Sequence, residues 1–138
     1  MVVQGLTYSF MLDLLIGSQN LVADSFMMAL YAPGAALPRT IAAYTPVGEI
    51  VHPAYTAGGK ALSQPAAPTV TNGVAHMTFN TTVWVPAGFT AAGALIYNAT
   101  RGGRSVAVLD FGGAKESSAA FTVQMPPAGP ETSLIRLA

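Results

Sequence analysis

The chain lacks cysteine and has very little charge. Its 138 residues include no Cys, six Lys and Arg together and six Asp and Glu together, so 9% of the residues are charged and the formal net charge is zero. A typical globular domain has about a quarter of its residues charged. The absence of cysteine excludes a disulfide framework and thiolate metal sites. Six scattered cations also cannot form the basic stripe that nucleic acid requires, so we expect no nucleic-acid partner.

A long hydrophobic run is also missing. The apolar segment Phe10–Ile16 is too short to span a membrane, and Asp13 interrupts it. No basic residue precedes this segment, although a secretory leader would require one. We therefore expect neither a membrane partner nor a cleaved leader.

What the chain does contain is more apolar surface than one small core needs. Hydrophobic residues make up 51% of the sequence. The segments 94–96 and 106–109 are apolar on both faces of their predicted strands, whereas a two-sheet sandwich has only one inner face per sheet. Because an outer apolar face must be covered, the sequence predicts a component of an assembly and a homo-oligomer, with a homodimer favoured and a trimer as the alternative.

Residues 1–20 are expected to form a helical segment. Between Gly5 and Gly17 apolar residues recur at helical spacing, and Gly17 offers the left-handed position that commonly ends a helix. So short a helix must pack its apolar stripe, either on the outer face of its own sandwich or on another subunit, and we favour the second. The stripe consists of Leu6, Phe10, Leu14 and Leu15.

The pattern of residues 24–138 predicts an all-β sandwich. We expect one domain, which spans residues 1–138 and includes the N-terminal helical segment. Short apolar runs alternate with Gly, Pro, Asn and Ser at the spacing typical of two packed sheets. In the segment 121–125 the alternation is clean, which predicts a half-buried strand. The eight predicted strands are Phe26–Tyr31, Val47–Val51, Lys60–Ser63, Val74–Phe79, Ala94–Asn98, Ser105–Phe111, Ala120–Met125 and Ser133–Leu137.

Two turns are predicted from paired turn residues. Gly102-Gly103 tolerates the positive φ angles of a tight hairpin, and Asn72-Gly73 has similar chemistry. At the tip of the first hairpin, Arg101 and Arg104 are placed to reach carboxylates on a neighbouring molecule.

Candidate catalytic and binding residues are few. His52 and His76 are the only near-neutral bases, and neither lies in a metal-ligand spacing. Serine and aspartate are present, but no Gly-x-Ser-x-Gly motif favours a hydrolase. Trp84 and Tyr97 are able to stack on a sugar, although packing in the core or at a subunit contact is the favoured role. The sequence therefore predicts no enzyme, no metal and no cofactor.

Four largely apolar sequence motifs occur in order between Asp24 and Gly112. They are Asp24-Ser25-Phe26-Met27-Met28-Ala29-Leu30-Tyr31, Gly48-Glu49-Ile50 followed by Tyr55-Thr56-Ala57-Gly58-Gly59, Ala94-Leu95-Ile96-Tyr97-Asn98, and Val106-Ala107-Val108-Leu109-Asp110-Phe111-Gly112. Together they resemble a family of small structural proteins of tailed bacteriophages. The chain departs from the family pattern at Met28, where a basic residue is usual, and at Ala54, where a glycine is usual.

The resemblance implies a virion protein, made in the host cytoplasm, that decorates and cements the capsid exterior. The fold it implies is a jelly-roll-like antiparallel β-sandwich, here with one short N-terminal helix. The implied partners are the major capsid protein and further copies of the chain. A protein that binds only the assembled lattice stabilises that state by mass action. We take as the candidate interface Leu6, Phe10, Leu14, Tyr55, Arg101 and Arg104.

Three alternatives stay open. A neck, tail or fibre protein would share this composition and fold, and a low copy number in the particle would separate it from a decoration protein. A carbohydrate-binding module would expose Trp84 or Tyr97 beside a polar cleft. A small hydrolase would place His52 or His76 within hydrogen-bond reach of a serine and a carboxylate.

Overall fold

Antiparallel strands dominate the computed structural model, which describes all 138 residues. The elements, in chain order, are β1 (Gly5–Leu6), α1 (Tyr8–Ile16), β2 (Phe26–Tyr31), β3 (Lys60–Ala61), β4 (Thr69–Thr71), β5 (Val74–Met77), β6 (Thr82–Trp84), β7 (Thr90–Asn98), β8 (Arg104–Glu116), β9 (Phe121–Val123) and β10 (Ile135–Leu137). The main sheet has the order β1-β8-β7-β2-β3, a second sheet has the order β10-β5-β4, and β6 pairs with β9 in a third.

The predicted class, mainly β with antiparallel sheets and one short helix, is confirmed. The jelly-roll topology and the division into residues 1–20 and 24–138 stay predictions. Both predicted turns are present: Gly102 and Gly103 have φ angles of 65° and 81° between β7 and β8, and Asn72 has a φ of 52° between β4 and β5. Seven of the eight predicted strands overlap an observed strand, and β1, β4 and β6 are additional.

The predicted strand Val47–Val51 is wrong. The segment forms a turn, and only Glu49 makes an isolated bridge, to Tyr31. Gly48 has a φ of 81°, and a Cβ atom there would lie 2.8 Å from the Cβ of Ala35. The close approach of these two segments therefore requires glycine and a turn at this position.

One apolar core joins the main sheet to both smaller sheets and to α1. The alternation predicted for the segment 121–125 is confirmed, since its apolar side chains are buried there while Thr122 and Gln124 are exposed. Phe10 of α1 is fully buried in the same core. The aromatic members of this core are Phe10, Phe26, Tyr55, Phe79, Trp84, Phe89 and Phe121.

The opposite face of the main sheet is covered by the chain itself. Leu95 of β7 and Val108 of β8 are fully buried there, against Ala35 and Leu37 of the loop 32–46. The expectation that the helix or another subunit covers this face is therefore wrong. The accessible surface, 6852 Å², is close to the value of about 6,700 Å² expected for a folded single chain of this mass.

Helix α1 is shorter than predicted, and a different set of its side chains is buried. Thr7 caps its start, because its Oγ1 accepts a hydrogen bond from the Phe10 N–H at 3.3 Å. Gly17 ends it with a φ of 74°, as predicted. Leu6 lies in β1 rather than in the helix, and Leu15 is 87% exposed. This nine-residue helix falls short of the length needed to cross a membrane.

We predict that Phe10→Ala lowers the free energy of unfolding by about 3 kcal/mol, because it leaves a cavity where a fully buried ring packs. Thermal melting of the isolated chain measures the change. Val70→Ala is the control, since Val70 is 67% exposed on β4 and should leave the melting temperature unchanged. Equal melting of the two variants would show that the Phe10 ring does not support the core.

Candidate functional site

A buried ion pair fixes α1 to the main sheet. The Asp13 side chain is fully buried, and its carboxylate accepts two hydrogen bonds from the Arg104 guanidinium, one of them from Nη2 to Oδ1 at 2.7 Å. Gln19 Nε2 donates to the same carboxylate at 3.0 Å and to the Ser105 carbonyl at 3.2 Å. Both oxygens of this buried charge therefore accept hydrogen bonds, from Arg104 after the hairpin and from Gln19 after α1.

The same network continues across the end of the sheet to a second ion pair. Asn98 Nδ2 donates to Gln19 Oε1 at 3.0 Å and to Asp24 Oδ2 at 2.8 Å. Arg101 Nε donates to Asp24 Oδ2 at 3.0 Å. We call the set the hairpin network: Asp13, Gln19, Asp24, Asn98, Arg101 and Arg104. It ties the N-terminal segment to the turn between β7 and β8.

Both aspartates of the hairpin network are held in the charged form. The hydrogen bonds from Arg104 lower the pKa of Asp13 and outweigh its desolvation, and Gln19 and the Arg104 charge act in the same direction. Desolvation raises the pKa of Asp24, but the hydrogen bonds from Arg101, from the Asn20 N–H and from Asn98, with the Arg101 charge, bring it to about 2.

A second buried carboxylate, Glu49, is held without a cation. The hydroxyls of Tyr44 and Tyr55 each donate to it at 2.6 Å, and the Gly58 N–H donates at 2.8 Å. Tyr55 also accepts a hydrogen bond from the Leu30 N–H of β2 at 3.0 Å. These four residues, Glu49, Tyr44, Tyr55 and Gly58, form the Glu49 cluster.

The phenols of the Glu49 cluster stay protonated donors. Desolvation, with the hydrogen bond and the charge of Glu49, raises the pKa of Tyr44 to about 12 and raises that of Tyr55 further. Nearby, Tyr97 donates from its hydroxyl to the Gly58 carbonyl at 2.7 Å. The cluster therefore fixes two loops to the main sheet and leaves no free group to act on a substrate.

Glycine is required where the second of these loops meets the sheet. A Cβ atom at Gly59 would lie 1.7 Å from the carbonyl oxygen of Met28. The segments 48–50 and 55–59 carry one of the four motifs behind the family resemblance, and here they place one carboxylate, one tyrosine and three glycines. The geometry of the two loops thus accounts for the residue types in this motif.

The Glu49 cluster positions an exposed apolar loop. We call residues 46–53 the loop 46–53. Glu49 is buried within it, whereas Val47 is 77% exposed and Val51 is 97% exposed. The Ile50 N–H donates to the Leu30 carbonyl at 3.1 Å, which fixes the loop to β2 between the two valines. The two valines therefore project from a loop that is anchored at the residues between them.

A second apolar surface is the outward side of α1. The α1 outer face consists of Tyr8, Met11, Leu12, Leu15 and Ile16, which are 52%, 38%, 54%, 87% and 64% exposed. Their spacing is that of one helix face, and no charged residue belongs to it. The only cation that contacts it is Arg39, whose guanidinium lies 4.9 Å from the centre of the Tyr8 ring.

These two surfaces lie at opposite ends of the main sheet. The loop 46–53 joins β2 at Tyr31. At the other end of β2, Phe26 pairs with Asn98, which in turn pairs with Arg104, the partner of α1. The five residue steps of β2 separate the two ends by about 17 Å.

An open groove of about 980 Å³ lies between the second half of β8 and β9. Phe111, Phe121 and Met125 contribute apolar side chains to it, and Lys115 and Glu116 contribute exposed charges. The paired glycines Gly112 and Gly113 lie beside the groove in β8, where the register of β8 with β7 shifts. Glu116 accepts a hydrogen bond from the exposed Thr90 hydroxyl at 3.3 Å, and neither His52 nor His76 lines the groove.

The predicted interface residues are not brought together on a free surface. Phe10 and Tyr55 are core residues, 0% and 7% exposed. Leu6 and Leu14 are only partly exposed, because they pack against the same core. Arg101 and Arg104 each pair with an aspartate of their own chain, with side chains 47% and 41% exposed, and their contact with a neighbour stays a prediction.

The residues on which sugar binding or hydrolysis would depend are also not placed as those functions require. Trp84 and Tyr97 are 2% and 6% exposed, so neither ring is available for a sugar. His76 is buried, with Nδ1 3.0 Å from Ser133 Oγ and Nε2 3.2 Å from Thr71 Oγ1. A hydroxyl therefore takes the place that a catalytic carboxylate would occupy. The His52 Nδ1 accepts from the Ala54 N–H at 3.0 Å.

Comparison of the chain with protein-family models, with curated proteins and with solved structures gave no match.

Sequence analysis missed both the Glu49 cluster and the α1 outer face. The second had a signal, because residues 8, 11, 12, 15 and 16 recur at helical spacing just as the predicted stripe does. The helix is apolar on both sides, so periodicity alone could not tell which side is buried. The polar partners of Asp13 decide it, since they draw that side of the helix towards the sheet.

We predict that the free energy of unfolding is level from about pH 7 to pH 5 and falls between about pH 4 and pH 2. The folded pKa values of Asp13 and Asp24 lie below the unfolded value of 3.8. Their contribution is therefore present above that value and is lost as the pH falls through the folded pKa values. Urea denaturation at each pH measures it, and Asp13→Asn with Asp24→Asn should flatten the acid limb. An unchanged acid limb in this double variant would contradict the assignment.

We predict that Glu49→Gln lowers the free energy of unfolding by about 2 kcal/mol, because an amide offers one acceptor oxygen and leaves a buried phenol without one. The amide of Gly58 should also exchange with deuterium faster, since it loses a charged acceptor. The matched control is Glu131→Gln at an exposed position. Equal stability and equal Gly58 exchange in the two variants would contradict the role of the cluster.

Proposed function

We propose that this chain is a non-catalytic structural protein of a tailed-bacteriophage virion, which binds the assembled major-capsid lattice from outside and stabilises the head. The family resemblance supports the proposal, and so does the way in which the chain uses its polar groups. Its carboxylates Asp13, Asp24 and Glu49 hold surface segments in place and make no catalytic arrangement.

The observation that carries the proposal is the anchored, apolar loop 46–53. Val47 and Val51 are almost fully exposed, and the Glu49 cluster between them fixes the loop in one conformation. A preformed loop loses little conformational entropy when it binds. Two uncharged side chains also favour an apolar pocket over a charged one. A seam between capsid subunits offers such a pocket only after assembly, which makes binding specific for the lattice.

The rival within the virion is a neck, tail or fibre protein, which would bring the same loop to a different neighbour. Copy number separates the two roles. Mass spectrometry of purified particles, calibrated against the major capsid protein, should give a decoration stoichiometry of many copies per head. A few copies at one vertex would replace decoration by a neck or tail role. Absence of the chain from purified particles would overturn the virion function altogether.

We predict that Val51→Asp lowers the occupancy of the chain on particles at least about tenfold, because it places a charge in an apolar contact. Occupancy is measured by imaging of particles that are stripped of the chain and reloaded with the variant. Val70→Asp is the control, at a 67% exposed valine of the β4 edge. Equal occupancy of both variants, with unchanged melting temperatures, would show that the loop 46–53 is not the lattice contact.

A further inference from the structure

The α1 outer face is an unpartnered apolar surface on a rigid support. Thr7 caps the start of the helix, Gly17 ends it, and Asp13 ties its other side to Arg104. The face is therefore presented in a fixed conformation, and ordering it costs little on binding. In a chain that has so few charges, nothing on this face prevents association.

The size of the face fits a small protein interface. Its five side chains together expose on the order of 500 Å², as large as the biggest apolar patch of a typical monomer. Two such faces packed on each other bury on the order of 1,000 Å², which is the lower limit for a specific interface. The area thus matches a second copy of this chain, in a dimer of moderate affinity.

The chemistry of the face also selects the partner. The face itself offers a charged partner nothing to pair with, and the cation at its border, Arg39, donates from Nε to the Leu6 carbonyl at 2.8 Å and lies over the Tyr8 ring. The face has no basic residue to attract an anionic lipid surface. A second copy offers an apolar face of the same length and the same lack of charge.

The order of the side chains is self-complementary in an antiparallel arrangement. Leu12 lies near the middle of the face, so a two-fold axis beside it brings Tyr8 of one copy against Leu15 and Ile16 of the other. The helix has no acidic residue in its first turn and no basic residue in its last turn. An antiparallel neighbour supplies the opposite dipole end at each terminus.

We propose that the chain forms a symmetric homodimer through the α1 outer face, with the two helices antiparallel and Leu12 beside the two-fold axis. This inference goes beyond lattice binding and does not depend on it, because it concerns the isolated chain and the opposite end of the sheet from the loop 46–53.

Sedimentation of the isolated chain over a range of micromolar concentrations tests the proposal. The wild type should sediment as a dimer, and Leu12→Glu with Leu15→Glu should raise the dissociation constant at least about thirtyfold. Both side chains are exposed, so the melting temperature of the dissociated variant should match that of the wild-type monomer at low concentration. Val70→Glu is the control and should leave the dimer intact.

Cross-linking provides a second and independent readout. The chain has no cysteine, so Leu12→Cys introduces the only thiol. Oxidation should link two copies of Leu12→Cys quantitatively, whereas Val70→Cys should stay unlinked under the same conditions. A wild-type monomer at 100 µM (roughly the weakest useful affinity) would overturn the proposal. A dimer that survives both glutamates, or co-sedimentation of the chain with phosphatidylcholine and phosphatidylglycerol vesicles in place of dimerisation, would overturn it equally.

Discussion

The buried pair of Asp13 and Arg104 is the interaction on which the arrangement of this protein depends. It joins the only helix to the longest strand pair, and Gln19 and Asn98 extend it to the second pair, Asp24 and Arg101. A buried charge that loses its partner is costly, so the pair fixes the rotation of the helix about its axis. Phe10 is directed into the core as a result, and the α1 outer face is left exposed.

Scarcity of charge explains why the second buried carboxylate is held differently. Two of the six cations are committed to the hairpin network, and Glu49 has tyrosine hydroxyls and a backbone N–H in place of a cation. Phenols with raised pKa values donate hydrogen bonds without adding a charge that would itself need compensation. Tyrosine thus supplies both the polar donors and the apolar bulk of this region, since Tyr55 also stacks near Trp84.

The sequence predicted the local features well, because they depend on neighbouring residues. The turns at Gly102-Gly103 and Asn72-Gly73, the end of the helix at Gly17 and the alternation in the segment 121–125 all follow from backbone preferences or strand periodicity. The prediction of a strand at Val47–Val51 was wrong because its apolar residues suggested a strand, whereas the contact of Gly48 with Ala35 requires a turn. That contact joins segments about a dozen residues apart and has no local signature.

The contact surfaces were harder to predict, for the same physical reason. Burial of Phe10 and Tyr55 is decided by partners such as Arg104 and Leu30, which lie far along the chain. The chain also covers its own outer sheet face with Leu37 from a loop that composition alone describes only as irregular. Apolar character can be recognised in the sequence, but the side of an element that meets solvent depends on long-range pairing.

The separation of the two apolar surfaces along β2 has a consequence for avidity. If the helix end joins two copies, the loop 46–53 of each copy lies at the far end of its own β2, a strand about 17 Å long. Such a dimer would carry two copies of the loop 46–53. Once the first loop is bound, the second would bind at the effective concentration set by the distance between the two loops. Weak apolar contacts of two valines each would then suffice to bridge neighbouring lattice sites, while a single copy would dissociate readily.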